Sequence, residues 1–152
     1  MIHVFDTSVW IEAWWRHYRI GRFPTLWQDL ASFIDEGRVI SPMEVLKEIE
    51  KQEDDLFKWL KQRQQVFREV DVRTEDMVRE IMKSHPRLVD INRDRSGADP
   101  WVIALAVVET AVVVTYENRG KKALPKIPDV CEHYGTGCVS MADFLDAQPR
   151  KY

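Results

Sequence analysis

The spacing of apolar residues changes several times along the chain, and each change marks an element. Ile2 to Phe5 is a short apolar run ending at Asp6, which suits a buried strand. From Thr7 to Tyr18 the spacing of Val9, Trp10, Ala13 and Trp14 is helical. A second helical stretch, about Pro24 to Glu36, stops at Gly37, the residue type favoured at a helix C-cap. Arg38 to Ile40 reads as a second strand. In the stretch SPMEVLKEIEK, Ser41 is placed to act as N-cap, Pro42 takes the favoured first helical position and Glu44 completes a capping box.

The stretch DDLFKWLKQRQQVF predicts one amphipathic helix, with Leu56, Trp59, Leu60 and Phe67 on a common face. Thr74 to His85 is a further helix closed by Pro86, and Asp99 to Glu109 an apolar one. Ala111 to Thr115 is β-branched throughout its centre, as in a strand covered on both faces. IPDVCEHYG reads as a short helix with Asp129 as N-cap, Cys138 to Val139 as a last strand and MADFLDAQ as a last helix. Short strands alternating with helices predict an α/β fold with a mostly parallel sheet of about four to five strands.

Composition narrows this picture only slightly. The 152 residues fit one domain, 1–152, and 45% hydrophobic with 31% charged residues is an ordinary globular balance. Six tryptophans supply enough aromatic surface for a substantial core. A net charge of -3 does not advertise a nucleic-acid binder, although a site built of carboxylates contributes negative charge that bound metal offsets. Cys131 and Cys138 are too few for a disulfide framework. With His133 they do not supply the four ligands of a structural zinc, so buried free thiols are expected. The first residues, MIHVFDTSVW, lack the features of a signal peptide, and no apolar run is long enough for a membrane span. A cytoplasmic location is therefore expected.

Chemistry enters through the positions of four acids. In an open parallel sheet, sites form beyond the carboxyl ends of the strands. Asp6 follows the first strand and Glu117 follows Val112 to Thr115, while Glu48 and Asp99 belong to the neighbouring helices. Hard divalent cations prefer such oxygen ligands. Each acid also has a structural reading: Asp6 and Asp99 could cap helices, and Glu117 could be a loop acid. Glu44 shares a helix face with Glu48, but the expected capping box gives Glu44 another task. Thr7, Ser8 and Thr115 could orient the carboxylates or simply cap backbone. Asn118 could touch metal-bound water or phosphate. The basic run Arg119, Lys121, Lys122 and Lys126 is either a solvated face or a set of phosphate contacts. Trp10, Trp14, Trp15 and Trp27 are expected in the core and at interfaces.

The blocks VFDTS, the IS followed by a helix with VLKE, GADPWVIALA and VVVTYEN together resemble a PIN domain. The order of acids matches: Asp6 in the first block, Glu48 in V-x-x-E, Asp99 opening the apolar helix and Glu117 in T-x-E. The likeness runs from Ile2 to about Leu145, and extends to an uncharacterised PIN-like subgroup with long GRVIS and KIPDVC segments. One departure is Glu117, where many PIN domains carry Asp. The resemblance implies a three-layer α/β/α fold and a magnesium- or manganese-dependent endoribonuclease, with Asp6, Glu48, Asp99 and Glu117 as catalytic metal ligands. VapC-like members are toxins of toxin–antitoxin pairs, which implies an RNA substrate, a small antitoxin partner and a homodimer. The alternative is a catalytically inactive PIN-like RNA-binding or scaffold module. A phosphatase of the haloacid-dehalogenase type also opens on an aspartate after the first strand, but needs a second aspartate where this chain has Ser8.

Overall fold

The structure is a computed structural model that describes residues 1–89 and 97–152. Among the described residues five strands form one sheet, in the order β3-β2-β1-β4-β5, and every pairing is parallel. The strands are β1 (His3–Phe5), β2 (Val39–Pro42), β3 (Phe67–Arg68), β4 (Val112–Val114) and β5 (Cys138–Val139). Around them lie α1 (Thr7–Glu12), α2 (Pro24–Asp35), α3 (Met43–Glu50), α4 (Asp55–Lys61), α5 (Val72–Ser84), α6 (Asp99–Glu109), α7 (Ile127–His133) and α8 (Met141–Asp146). The result is a three-layer α/β/α arrangement: its α/β class and parallel sheet are what the alternation of elements predicts, and its three layers are what the resemblance implies. No helix among the described residues is long and apolar enough to cross a membrane.

The chain leaves β1 in one direction, through β2 to β3, and then returns to place β4 on the other side of β1. The switch point therefore lies between the carboxyl ends of β1 and β4, and the crevice there is the natural ligand site of such a sheet. Register fixes what meets at it: Phe5 pairs with Val114, so Asp6 and Thr115 are the next residues on each side.

Packing on the two faces follows strand alternation. His3 and Phe5 turn their rings toward Phe144 of α8, at centroid distances of 4.9 and 5.2 Å, and Phe5 also meets Trp10 of α1. Trp10, Trp14, Trp27 and Trp59 form a joined aromatic cluster beneath α1 and α2. Helix α6 packs across β1 and β2 and against α5; its Val102, Ile103, Ala104, Leu105 and Ala106 are all buried, so its sequence is apolar around the whole helix.

Five local expectations are corrected. Ser41 is the third residue of β2 and does not cap α3; its hydroxyl donates to Phe5 O at 2.7 Å and accepts from Trp10 Nε1 at 3.0 Å. The capping box with Glu44 is absent, because pairing with β1 and β3 holds residues 39–42 extended and α3 begins one residue after Pro42. The expected helix over DDLFKWLKQRQQVF ends at Lys61, and after a 3₁₀ turn at Gln64–Val66 Phe67 enters β3. Asp129 is not the N-cap of α7 but its third residue; its carboxylate accepts from Lys126 N at 2.9 Å and Gly120 N at 2.7 Å. Trp15 is 44% exposed rather than in the core.

Candidate functional site

Asp6 ends β1 in extended backbone and stands in the switch-point crevice, 3% exposed. Both carboxylate oxygens are used. Oδ1 accepts from Ser8 Oγ at 2.7 Å and from Val9 N at 3.0 Å, and Oδ2 accepts from Thr115 Oγ1 at 2.6 Å. The capping and functional readings of Asp6 therefore coexist: it caps α1 while its carboxylate stays at the crevice. Burial pushes its pKa up to about 6; the three hydrogen bonds draw it back, and the charge of Glu117 pushes it further up. Such an acid is a functional-site candidate, because the fold retains it at a cost in stability.

Thr115 and Ser8 tie the two strand ends together. Thr115 Oγ1 accepts from Glu117 N at 3.0 Å while donating to Asp6, and Ser8 Oγ accepts from Tyr116 N at 3.3 Å. Glu117 is thereby held beside Asp6, and its Oε2 accepts from Ile127 N at 3.2 Å, at the start of α7. Of the three hydroxyl residues named from sequence, Ser8 and Thr115 orient the carboxylate and Thr7 does not; Thr7 Oγ1 is buried without a hydrogen-bond partner among the described residues.

Glu48 and Asp99 lie together on another wall. Glu48 Oε1 accepts from Ala98 N at 2.9 Å, bridging α3 to the residue before Asp99. Asp99 is the first residue of α6 and is 9% exposed. Glu48 and Ala98 border a cleft of about 500 Å³ lined also by Thr7, Glu44, Lys47, Lys51 and Gly97 among others. Glu44, freed from the expected capping box, turns into this cleft: Oε1 faces Lys47 Nζ at 3.9 Å and Oε2 is buried without a hydrogen-bond partner among the described residues. Capping therefore does not set Glu44 apart from Glu48, although Glu48 alone is tied to Ala98 N.

Among the described residues, no three His, Cys, Asp or Glu side chains converge closely enough to share a metal ion. The acids form two neighbouring groups, Asp6 with Glu117 and Glu44 with Glu48 beside Asp99. Of the basic run, Arg119 is committed to an ion pair with Glu132 and lies 3.9 Å from Asp129. Asn118, Lys121 and Lys122 are exposed. The thiols are split: Cys131 is buried and Cys138 partly so, both unbridged.

Two features escaped the sequence reading. The lysines of α3 line the cleft, and Tyr116 stacks on His17 at 5.1 Å beside the site. The i,i+3 spacing of Lys47 after Glu44 and of Lys51 after Glu48 was the available signal for the first. Nothing local signals the second.

Residues 3–152 match the family described as "Domain of unknown function (DUF4411)", and the chain belongs to that family. A search of curated proteins finds no match. In fold the chain is similar to a crystal structure of VapBC2 from Rickettsia felis, bound to a DNA fragment from their promoter. The TM-score is 0.57 at 13% identity, over 92% of this chain and 98% of that one.

Proposed function

From that family membership and shared fold, we propose that the chain is a metal-dependent endoribonuclease that hydrolyses RNA phosphodiester bonds, in the manner of VapC-like PIN toxins. The observation that carries this reading is Asp6: a buried carboxylate with a raised pKa at the switch point, held by Ser8 and Thr115 beside Glu117. The likeness to the VapBC2 structure supports the toxin class and a small antitoxin partner.

The donor set fits magnesium or manganese in chemistry. It is all oxygen, its charge is negative, and the repulsion between Asp6 and Glu117 is what a cation would relieve. Magnesium takes one or two carboxylates directly and keeps several waters. Asp6, Glu48, Asp99 and Glu117 are the residues that would hold it. Bound there, the ion would supply an activated water and stabilise the charge that develops on phosphate oxygens. The chain's own residues do the positioning. Ser8, Val9 and Thr115 fix the Asp6 carboxylate so that it need not reorganise, and Ala98 N fixes Glu48. Glu117, one methylene longer than the usual Asp, is held by Ile127 N rather than by a neighbouring hydroxyl.

Purified protein supplied with magnesium or manganese should cut RNA, and Asp6→Asn and Asp99→Asn should each lose the cleavage. Equal cutting by wild type and Asp6→Asn over a broad RNA panel would sink the assignment. Growth arrest on induced expression, relieved by the product of a small adjacent gene, tests the toxin reading, and the mass in solution tests a homodimer. The second reading, an inactive RNA-binding or scaffold module, draws on the separation of the acids into two groups. Absence of manganese binding by calorimetry would favour it.

A further inference from the structure

The cleft beside Glu48 does not end at α3. Past Ile11 and Gln52 it continues into a groove of about 410 Å³ lined also by Trp15, Ile49 and Asp54. The two share Ile11 and Gln52, so one track runs from Glu44 and Glu48 to an exposed tryptophan. Its character changes along the way. Glu44 and Glu48 share α3 with Lys47, and Lys51, its C-cap, follows Lys47 by one turn.

Trp15 closes the far end. A single π turn, Ala13–His17, follows α1, and across it Trp14 is 7% exposed while Trp15 is 44% exposed. Such turns are uncommon and concentrate at functional sites. The indole is not loose: Nε1 donates to Asp54 Oδ2 at 3.3 Å. With its one polar atom engaged, what it offers a ligand is π surface. Lys47 is 69% exposed, only distantly paired with Glu44, and Lys51 makes no ion pair among the described residues.

We propose that this track binds a single-stranded polynucleotide, its phosphates on Lys47 and Lys51 and one base stacked on Trp15. The proposal rests on the nuclease reading above and adds the path of the strand. Two observations favour this occupant over a protein segment. Cations one helical turn apart sit about 6 Å apart at their Cβ atoms, a distance suited to successive phosphates of an extended strand. The aromatic platform lies at the far end of the same groove that holds Glu44 and Glu48. A duplex has no free base face to offer the indole, whereas every unpaired base has one.

The test uses the full chain in chelator, so that no cleavage intervenes, and a fluorescein-labelled 12-nucleotide RNA without secondary structure. Anisotropy should give a Kd about 5- to 150-fold weaker for Trp15→Ala, the range expected for one base–aromatic stack. Trp15→Phe, which keeps a platform, should retain most of the affinity. Unlabelled RNA should quench tryptophan emission in wild type and much less in Trp15→Phe. Lys47→Gln and Lys51→Gln should each lower the slope of log Kd against log salt by about 0.7. Circular dichroism melts verify that each variant is folded.

Unchanged affinity in Trp15→Ala, or duplex RNA bound as tightly with the same dependence on Trp15, overturns the proposal. So does a groove that takes up a peptide while leaving RNA unbound. The two levels separate cleanly. Binding that depends on Trp15 and the lysines, without metal-dependent cleavage, removes the nuclease reading alone. Cleavage that depends on Asp6 but is indifferent to Trp15→Ala in both Kd and KM removes the track alone.

Discussion

The Asp6 carboxylate gives the sharpest quantitative handle on the crevice. Its pKa in the folded chain is about 6, against 3.8 for an ordinary aspartate, and it is fully buried. A folded-state pKa above the unfolded one means that folding favours the protonated form. This contribution to stability is fully present below about pH 4 and is lost as pH rises through about 6. The difference of roughly two pKa units is worth ~3 kcal/mol. Asp6→Asn keeps the shape of the side chain and cannot ionise. In chelator, the variant should match wild type near pH 4 and be more stable by up to ~3 kcal/mol at pH 7. For a chain of this length that is a rise in melting temperature of about 6–12 °C. Urea denaturation at pH 4, 5, 6 and 7 on both proteins measures the gap directly, and taking the difference cancels the titrating groups that do not interact with Asp6. An Asn variant no more stable than wild type at pH 7, or a gap that does not close toward pH 4, refutes the reasoning. Manganese adds a second arm. At one hundred times its Kd it should restore about 2.7 kcal/mol to wild type and less to the variant.

Glu48→Gln should leave stability within about 1 kcal/mol, because the amide oxygen still accepts from Ala98 N, whereas Glu48→Ala strands that N–H and should cost about 1–3 kcal/mol by denaturant melts. Equal losses in the two variants would show that the bond does not matter. Gly120→Ala should displace the loop after β4, since a Cβ there would lie 2.3 Å from Leu124 O; proteolysis in that loop should accelerate, and an unchanged digestion rate would contradict the packing. The hydrogen bond from Cys131 lowers the pKa of Cys138 and raises that of Cys131, which is also more buried. Cys138 should therefore react first with iodoacetamide and Cys131 only on unfolding, as peptide mass spectrometry can resolve.

The order of the elements, and the element on which each acid sits, are written in local pattern. Local periodicity carries helices such as Pro24–Asp35 and Asp99–Glu109, whose ends are set by proline, by glycine at positive φ and by the apolar pattern. Asp6 and Glu117 could be placed because a parallel sheet puts its site where strands end, and a strand end is legible as the last apolar residue. Wherever a long-range partner competed with a local signal, the tertiary structure decided. Ser41 has every local mark of an N-cap, but Phe5 O and Trp10 Nε1 claim its hydroxyl and the sheet claims its backbone. Phe67 continues a helical pattern, yet pairs with Ser41 as an edge strand of two residues. Trp15 looks like its neighbour Trp14, and only the π turn and the position of Asp54 turn one indole inward and leave the other open. The link between Glu48 and Ala98 spans fifty positions, and no periodicity carries information over that distance. Sequence fixes which groups exist and on which element; the contacts that orient them form only when the sheet closes.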